Sequence, residues 1–316
     1  MVSHYNPDGD AIGSALAIYH FLNGLGQQVN VIIPNSIPEF LTWLPGAGNI
    51  IIYNDEKEKI CGMVEQAELV FYIDFNHLSR LEGLEKELAI YNKIGILIDH
   101  HPDPEIKTDL VISDVNVSSA AELVYNFILG FGKEDYINKD IATCIYTGIM
   151  TDTVNFRYNM SDKTHGILAQ LFKTGIKSEI IHHNVYDHFS YNRMKLLGFA
   201  LNERLVVLNE FNTAYIYLFK QDLDQFNFKN GDSEGFVNYP LSIKNIKFSV
   251  LFIEQEEYIK ISLRSKGEFP VNDFAKRHFN GGGHKNAAGG KSFLSLKDTL
   301  TGFEKTLIDY KEKIKY

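Results

Sequence analysis

Short continuous apolar runs alternate with apolar residues at helical spacing through the first part of the chain. Val29 to Ile33, Leu69 to Ile73 and Gly95 to Ile98 read as strands, the last as a buried central strand of a parallel sheet. Between them, Ile12, Ala15, Leu16, Tyr19 and Leu22 mark a helix over residues 10–24, stopped by Gly24 and Gly26. Further helices are predicted over residues 81–91, from Ser118 to about Leu129, and over 138–150, where Ile141, Ile145 and Ile149 share a face. Two more follow over 162–174 and, with a break, over 178–203. Strands alternating with helices imply an α/β fold with a parallel, doubly wound sheet. Val2-Ser3-His4 reads as the end of a strand whose beginning is missing.

From Leu205 the period changes. Val206 to Phe219 and Phe248 to Leu263 show near-alternating apolar residues, as in antiparallel strands. A short helix over 271–279 and a last one with Leu300, Phe303, Leu307, Tyr310 and Ile314 on one stripe complete a second, smaller α/β domain. The expected division is residues 1–189 for the first domain, 190–204 for a linker helix region and 205–316 for the second. The single tryptophan, Trp43, and the histidines His182, His183 and His188 are assigned to packing or surface, and Ser119 with Glu122 to a helix cap.

Composition narrows the function classes. At 316 residues, with 45% hydrophobic and 22% charged content, the chain can bury sizeable cores. No apolar run is long enough for a membrane span, and no leader pattern opens the chain, so a cytoplasmic protein without membrane association is expected. Cys61 and Cys144 are far apart and fit reduced structural thiols. A net charge of −9 argues against a long nucleic-acid duplex as partner but not against a small anionic substrate, since bound cations reverse a local field.

The candidate chemistry sits where apolar segments stop. Gly95-Ile96-Leu97-Ile98 runs into Asp99-His100-His101, the third strand ends at Asp74, and the helix over 138–150 runs on to Asp152. His4-Tyr5-Asn6-Pro7-Asp8-Gly9-Asp10 adds three potential ligands in one turn, where Asp10 also has the position of a helix cap. Ligands of open α/β sheets bind outside the carboxyl ends of the strands. Carboxylates gathered there repel one another unless cations join them. Mixed imidazole and carboxylate donors suit manganese, and also magnesium, iron or zinc, and two such ions fit phosphoester hydrolysis.

These segments resemble the DHH phosphoesterase family over nearly the whole chain. The resemblance rests on His4-x-x-Pro7-Asp8-Gly9-Asp10, the strand ending at Asp74, Asp99-His100-His101 and Gly148-Ile149-x-x-Asp152. In the second domain it rests on Arg264-Ser265 and Gly281-Gly282-Gly283-His284-x-x-Ala287-Ala288-Gly289, which are similar to the DHH-associated substrate-binding domain. The family pattern implies two divalent metal ions, one on His4, Asp8 and Asp74 and the other on Asp10, Asp74, His100 and Asp152, with Asp74 bridging. It implies that Asp99 supports a histidine and that His101 touches the scissile phosphate. Arg264, Ser265, the Gly281–Gly283 backbone and His284 would bind substrate, and Arg157 would reach phosphate. The chain departs from the pattern in its short first strand and at Val154, where a glycine is expected.

Size and domain content are similar to the small members of the family. The expectation is a manganese-dependent hydrolase of short oligoribonucleotides (nanoRNA) and of 3′-phosphoadenosine 5′-phosphate (pAp), acting as a homodimer. The alternatives are a linear or cyclic dinucleotide phosphodiesterase, a pyrophosphatase or exopolyphosphatase, and, in another class, a non-catalytic nucleotide sensor.

Overall fold

A computed structural model describes residues 1–89, 91–132, 134–187 and 189–315. His188, one of the three histidines assigned to surface or packing, lies outside them. The chain forms two compact units, Met1–His188 and Phe189–Tyr316.

In the first unit, β1 (Val2–Ser3) leads through a loop to α1 (Gly9–Gly24), followed by β2 (Ile32–Ile33), β3 (Ile51–Ile52) and α2 (Lys57–Gln66). Then come β4 (Leu69–Ile73), α3 (Glu85–Ala89), β5 (Ile94–Asp99), β6 (Leu110–Ser113) and α4 (Ala120–Leu129). Helices α5 (Lys139–Asp152), α6 (Asp162–Lys173) and α7 (Ser178–Tyr186) complete the unit. The strands form a parallel sheet in the order β3-β2-β1-β4-β5-β6. Two hydrophobic cores use this sheet: Phe71, Ile73 and Ile98 join the core shared with α1, α4 and α5, while Tyr72, Val70 and Leu97 join the one shared with α2 and the segment around Leu81–Leu88. Burial on both faces is why these strands read as unbroken apolar runs.

Helix α1 is buried on nearly every side because α5 lies close against it. A Cβ at Gly13 would stand 2.5 Å from the Cys144 carbonyl oxygen, and one at Gly148 would stand 2.7 Å from Ala121 Cβ and 2.9 Å from Asp10 Oδ1. Glycine at these two positions is what lets the start of α1, the start of α4 and the end of α5 converge.

The cap of α1 corrects one sequence expectation. Asp8, not Asp10, is the capping residue: its carboxylate accepts from the backbone N–H groups of Asp10 and Ala11. The helix starts a residue earlier than its apolar period implied, which frees the Asp10 side chain for other partners. Trp43 packs against the core as expected. Ser119 accepts from the Glu122 N–H, and the Glu122 carboxylate accepts from Ser118 N–H, Ser118 Oγ and Thr164 Oγ1, tying α4 to α6. His182 stacks among Tyr146, Phe156 and Tyr186.

The second unit opens with α8 (Tyr191–Glu203), which buries Leu196, Leu197 and Ala200 in that unit's own core. It continues through β7 (Leu205–Leu208), β8 (Thr213–Leu218), α9 (Lys220–Gln225), β9 (Phe248–Glu254), β10 (Ile259–Ser265), α10 (Val271–His278), β11 (Gly282–His284), β12 (Ala287–Ser292) and α11 (Leu296–Lys315). Its sheet order is β11-β12-β10-β9-β8-β7. The β7–β8 and β9–β10 pairs are antiparallel, as the alternation implied, but β8 and β9 run parallel. The long crossover through α9 permits this, and both strands are buried on both faces. Among the described residues no helix is long and apolar enough to cross a membrane.

Candidate metal centre

The sheet places β1, β4 and β5 side by side, with Ser3 opposite Ile73 and Ile73 opposite Ile98. The residues that end or follow these strands, His4, Asp74 and Asp99-His100-His101, therefore emerge on neighbouring strand ends at a spacing of about 4.8 Å. Asp74 leaves its strand in a left-handed conformation, φ +64°, with its N–H bonded to the Ile98 carbonyl at 2.9 Å. Aspartate is among the few residues that tolerate this backbone.

All eight residues expected at the centre meet or adjoin here. His4 Nε2 lies 3.8 Å from Asp74 Oδ2. His100 Nε2 lies 3.6 Å from Asp10 Oδ2, 3.5 Å from Asp74 Oδ1 and 3.7 Å from Asp152 Oδ2. His101 Nδ1 donates to Asp99 Oδ1 at 2.7 Å and lies 3.8 Å from Asp74 Oδ1. Three groups made up wholly of first-unit residues have the compactness of a cation's ligand set: His4, Asp8 and Asp74; Asp10, Asp74 and His100; and Asp74, Asp99 and His101. Asp74 belongs to all three.

The surroundings orient these side chains. His4 Nδ1 donates to the Tyr5 carbonyl at 2.9 Å, which leaves Nε2 unprotonated on the side of Asp74. Asp10 accepts from the N–H groups of Ala120 and Ala121 at the start of α4 and from Ser14 Oγ. Asn76 donates to the Pro102 carbonyl, and the Glu105 N–H donates to the Asn76 carbonyl, so the loops after β4 and β5 brace each other. Asn76 was not singled out in the sequence; its only signal was its position two residues past Asp74.

The electrostatics call for cations. Burial, with the Asp8 charge next, raises the Asp10 carboxyl to about 7, against the pull of the Ala121 and Ala120 N–H groups. Burial and then the Asp10, Asp8, Asp99 and Asp152 charges raise Asp74 well above the carboxylate range. Burial lowers His4 to about 4, and lowers His100 and His101 as well, so the imidazoles are neutral and able to ligate. Asp74 Oδ1 and Asp99 Oδ2 are buried without a hydrogen-bond partner. Among the described residues no lysine or arginine pairs with Asp8, Asp10, Asp74 or Asp99. Buried carboxylates without proton or cation are costly. The donor set and the orphaned oxygens fit divalent cations.

The remaining expected residues belong to the loop after Asp152 and to the second unit. Arg157 follows Asp152 in the first unit and is exposed, beyond three consecutive left-handed residues, Val154, Asn155 and Phe156, at φ +51°, +60° and +62°. That conformation is the physical reason a glycine suits position 154. In the second unit, Arg264 and Ser265 end β10, and Gly282, Gly283 and His284 form β11. The Ser265 hydroxyl is buried, donating to the Phe269 carbonyl and accepting from Asn286 Nδ2. A Cβ at Gly281 would overlap the Gly289 carbonyl oxygen at 1.9 Å, and Gly283 has φ +137°, so these glycines also serve the close pairing of β11 with β12.

The DHH family, N-terminal domain, matches residues 1–149, and the DHHA1 domain matches residues 211–310. The bifunctional oligoribonuclease and PAP phosphatase NrnA of Thermus thermophilus is 30% identical, over 99% of this chain and 89% of its own length. The chain belongs to the DHH phosphoesterase family. The NrnA protein of Bacillus subtilis is 28% identical over 90% of this chain and 86% of its own. A crystal structure of an exopolyphosphatase-related protein from Bacteroides fragilis superposes with a TM-score of 0.95 at 42% identity, covering 100% of this chain and 93% of that one. This DHH phosphoesterase is thus a hydrolase of phosphoric esters, with acidic and histidine groups able to bind metal.

Proposed function

We propose that the chain hydrolyses short oligoribonucleotides and pAp with two divalent ions, manganese foremost, at the Asp74 cluster. The observation that carries this reading is Asp74 itself, a buried carboxylate common to three ligand groups, with one oxygen unpartnered. The NrnA relatives, which carry both activities in their name, support the choice of substrates. One ion would be held by His4, Asp8 and Asp74, the other by Asp10, Asp74, His100 and Asp152. Divalent cations there supply Lewis-acid stabilisation of the phosphoryl group and of the attacking water.

The chain's own groups do the rest. The α4 N-terminus and Ser14 hold the Asp10 carboxylate in one orientation. Asp99 accepts the Nδ1 proton of His101, which leaves His101 Nε2 as the ring atom that meets a phosphoryl or leaving oxygen and exchanges a proton with it. Residues 1–189 make the catalytic domain of this reading, 190–204 its linker helix, and 205–316 the substrate-binding domain. In that last domain Arg264, Ser265, Gly281, Gly282, Gly283 and His284 are the substrate-binding residues of this reading, and in the first domain Arg157 is its phosphate-binding residue. A cytoplasmic homodimer completes the proposal.

The Bacteroides fragilis relative favours a second reading, a pyrophosphatase or exopolyphosphatase. A chain of phosphates needs several converging cations. The glycine-rich segment offers Arg264 and Lys285, of which Lys285 is paired with Glu268 at 2.5 Å, and this ranks the reading second. The deciding experiment is a manganese-supplemented panel of dinucleotide RNA, pAp, linear and cyclic dinucleotides, pyrophosphate and a 20-mer, with metal content measured alongside. Preference for the dinucleotide and pAp, with two ions per chain, is expected. Phosphate release from pyrophosphate with inert dinucleotides would install the second reading.

A further inference from the structure

Arg80 belongs to no ligand group above, yet it stands at the edge of the centre. It lies six residues past Asp74, in the 3-10 turn Leu78–Leu81. Its backbone carbonyl accepts from the Tyr5 N–H at 2.7 Å, and the Tyr5 carbonyl in turn accepts from His4 Nδ1. One residue, Tyr5, therefore links the Arg80 backbone to the His4 side chain. The side chain is half-buried, and among the described residues its guanidinium has neither a hydrogen bond nor a carboxylate in ion-pair range.

A half-buried guanidinium without a partner is unusual beside five carboxylates. The bond from the Tyr5 N–H places Arg80 beside the loop that carries His4 and Asp8, and its turn begins four residues past Asp74, whose carboxylate belongs to the same ligand group. The guanidinium adjoins the ligand-bearing loops and is committed to none of their carboxylates.

We infer that Arg80 is a substrate-binding residue whose guanidinium takes non-bridging oxygens of the phosphoryl group presented to the Asp74 cluster. Five N–H donors in a planar fork match such a group bidentately, which neither the carboxylates nor the neutral imidazoles can do. The inference rests on the phosphoester reading above and adds a residue to it. It explains why the turn after β4 is tied to the His4 loop through a main-chain bond: the bond sets where the side chain starts.

That bond uses the Arg80 carbonyl, so substitution leaves it in place. The test compares Arg80→Ala, Arg80→Lys and the unaltered protein. The readings are kcat/KM on dinucleotide RNA, pAp and bis(p-nitrophenyl) phosphate, manganese affinity by calorimetry, and the affinity of the manganese-loaded protein for inorganic phosphate. Arg80→Ala should lower kcat/KM by about 10²–10³-fold, as loss of one oriented donor does. It should weaken phosphate binding and leave manganese affinity unchanged. Arg80→Lys should recover part of the loss, because it keeps the charge without the fork, and free guanidinium should restore some activity to Arg80→Ala. Phosphate binding indifferent to Arg80→Ala would overturn the inference, and so would a parallel loss of manganese affinity, which marks a structural role. If dinucleotide and pAp are inert in the unaltered protein while phosphate binding still depends on Arg80, the substrate assignment fails and the inference stands.

Discussion

Val154 offers a measurement of stored backbone strain beside the centre. It begins the left-handed run of three that follows Asp152-Thr153. The run is held from both sides. Thr153 is fully buried, its hydroxyl donates to the Ile149 carbonyl, and its carbonyl accepts from the Arg157 and Tyr158 N–H groups. Asn155 N–H reaches the Met150 carbonyl at 2.8 Å, and Phe156 packs on Tyr146. A left-handed residue with a Cβ costs about 1–2 kcal/mol. Comparing Val154→Gly with Val154→Ala isolates that cost, because both remove the branched side chain and differ only in Cβ. The control is the same pair at His165, an exposed position in α6, where alanine should be ahead of glycine by about 1 kcal/mol. At position 154 the order should vanish or invert, so the two differences should be about 1–2 kcal/mol apart. Urea unfolding followed by the fluorescence of Trp43, the single tryptophan and a first-unit residue, reads this as roughly half to one molar between the two midpoint differences. Alanine ahead of glycine by the same margin at both positions would refute the strain argument.

Other consequences follow from the buried carboxylates and thiols. Asp74→Asn should abolish hydrolysis and the stabilisation given by manganese, while raising the thermal midpoint of the chelator-treated protein, because a buried carboxyl whose ionisation is suppressed by burial and by its neighbours' charges gives way to a neutral amide; a lower midpoint would contradict this. In metal-free protein the raised Asp10 carboxyl holds more proton in the folded state than in the unfolded one between about pH 4 and 7. Stability from this group is therefore complete below pH 4 and falls as pH rises toward 7, by about 1.4 kcal/mol for each pH unit over which one extra proton is held, and manganese should flatten the slope. The difference in urea midpoint between chelated Asp10→Asn and unaltered protein at several pH values isolates it from the opposite slope of the lowered histidines, and an Asn advantage that shrinks as pH rises would overturn the sign. Cys144 is buried at the α1–α5 contact and its thiol is pushed far up by burial, whereas Cys61 is partly exposed. One thiol should react with Ellman's reagent in the native protein and two after unfolding, and rapid reaction of both would count against the packing described.

Each ligand-bearing segment announced itself locally. An apolar run that stops at Asp74 or Asp99, or a helix that stops at Asp152, carries its own signal, because strand and helix periods are properties of neighbouring residues. The same holds for the two-unit organisation, where the period changes near Leu205. The absence of glycine at position 154 was visible too, although its meaning, a left-handed turn, was not. What lay outside local pattern was missed or misplaced. The α1 cap moved from Asp10 to Asp8 because the Ala120 and Ala121 N–H groups, over a hundred residues away, claim the Asp10 carboxylate. The edge strand β6 was not marked as a strand, and its Leu110 and Val111 are exposed. Arg80 and Asn76 have no motif; they matter through a carbonyl bonded to Tyr5 and an amide bonded to Pro102. Sequence alone determined which residue types stand at the ends of elements, since that depends on short-range spacing. Only the tertiary structure decided which of those ends are neighbours, and which polar groups between them remain unpaired, since both depend on strand order and on contacts between residues far apart in the chain.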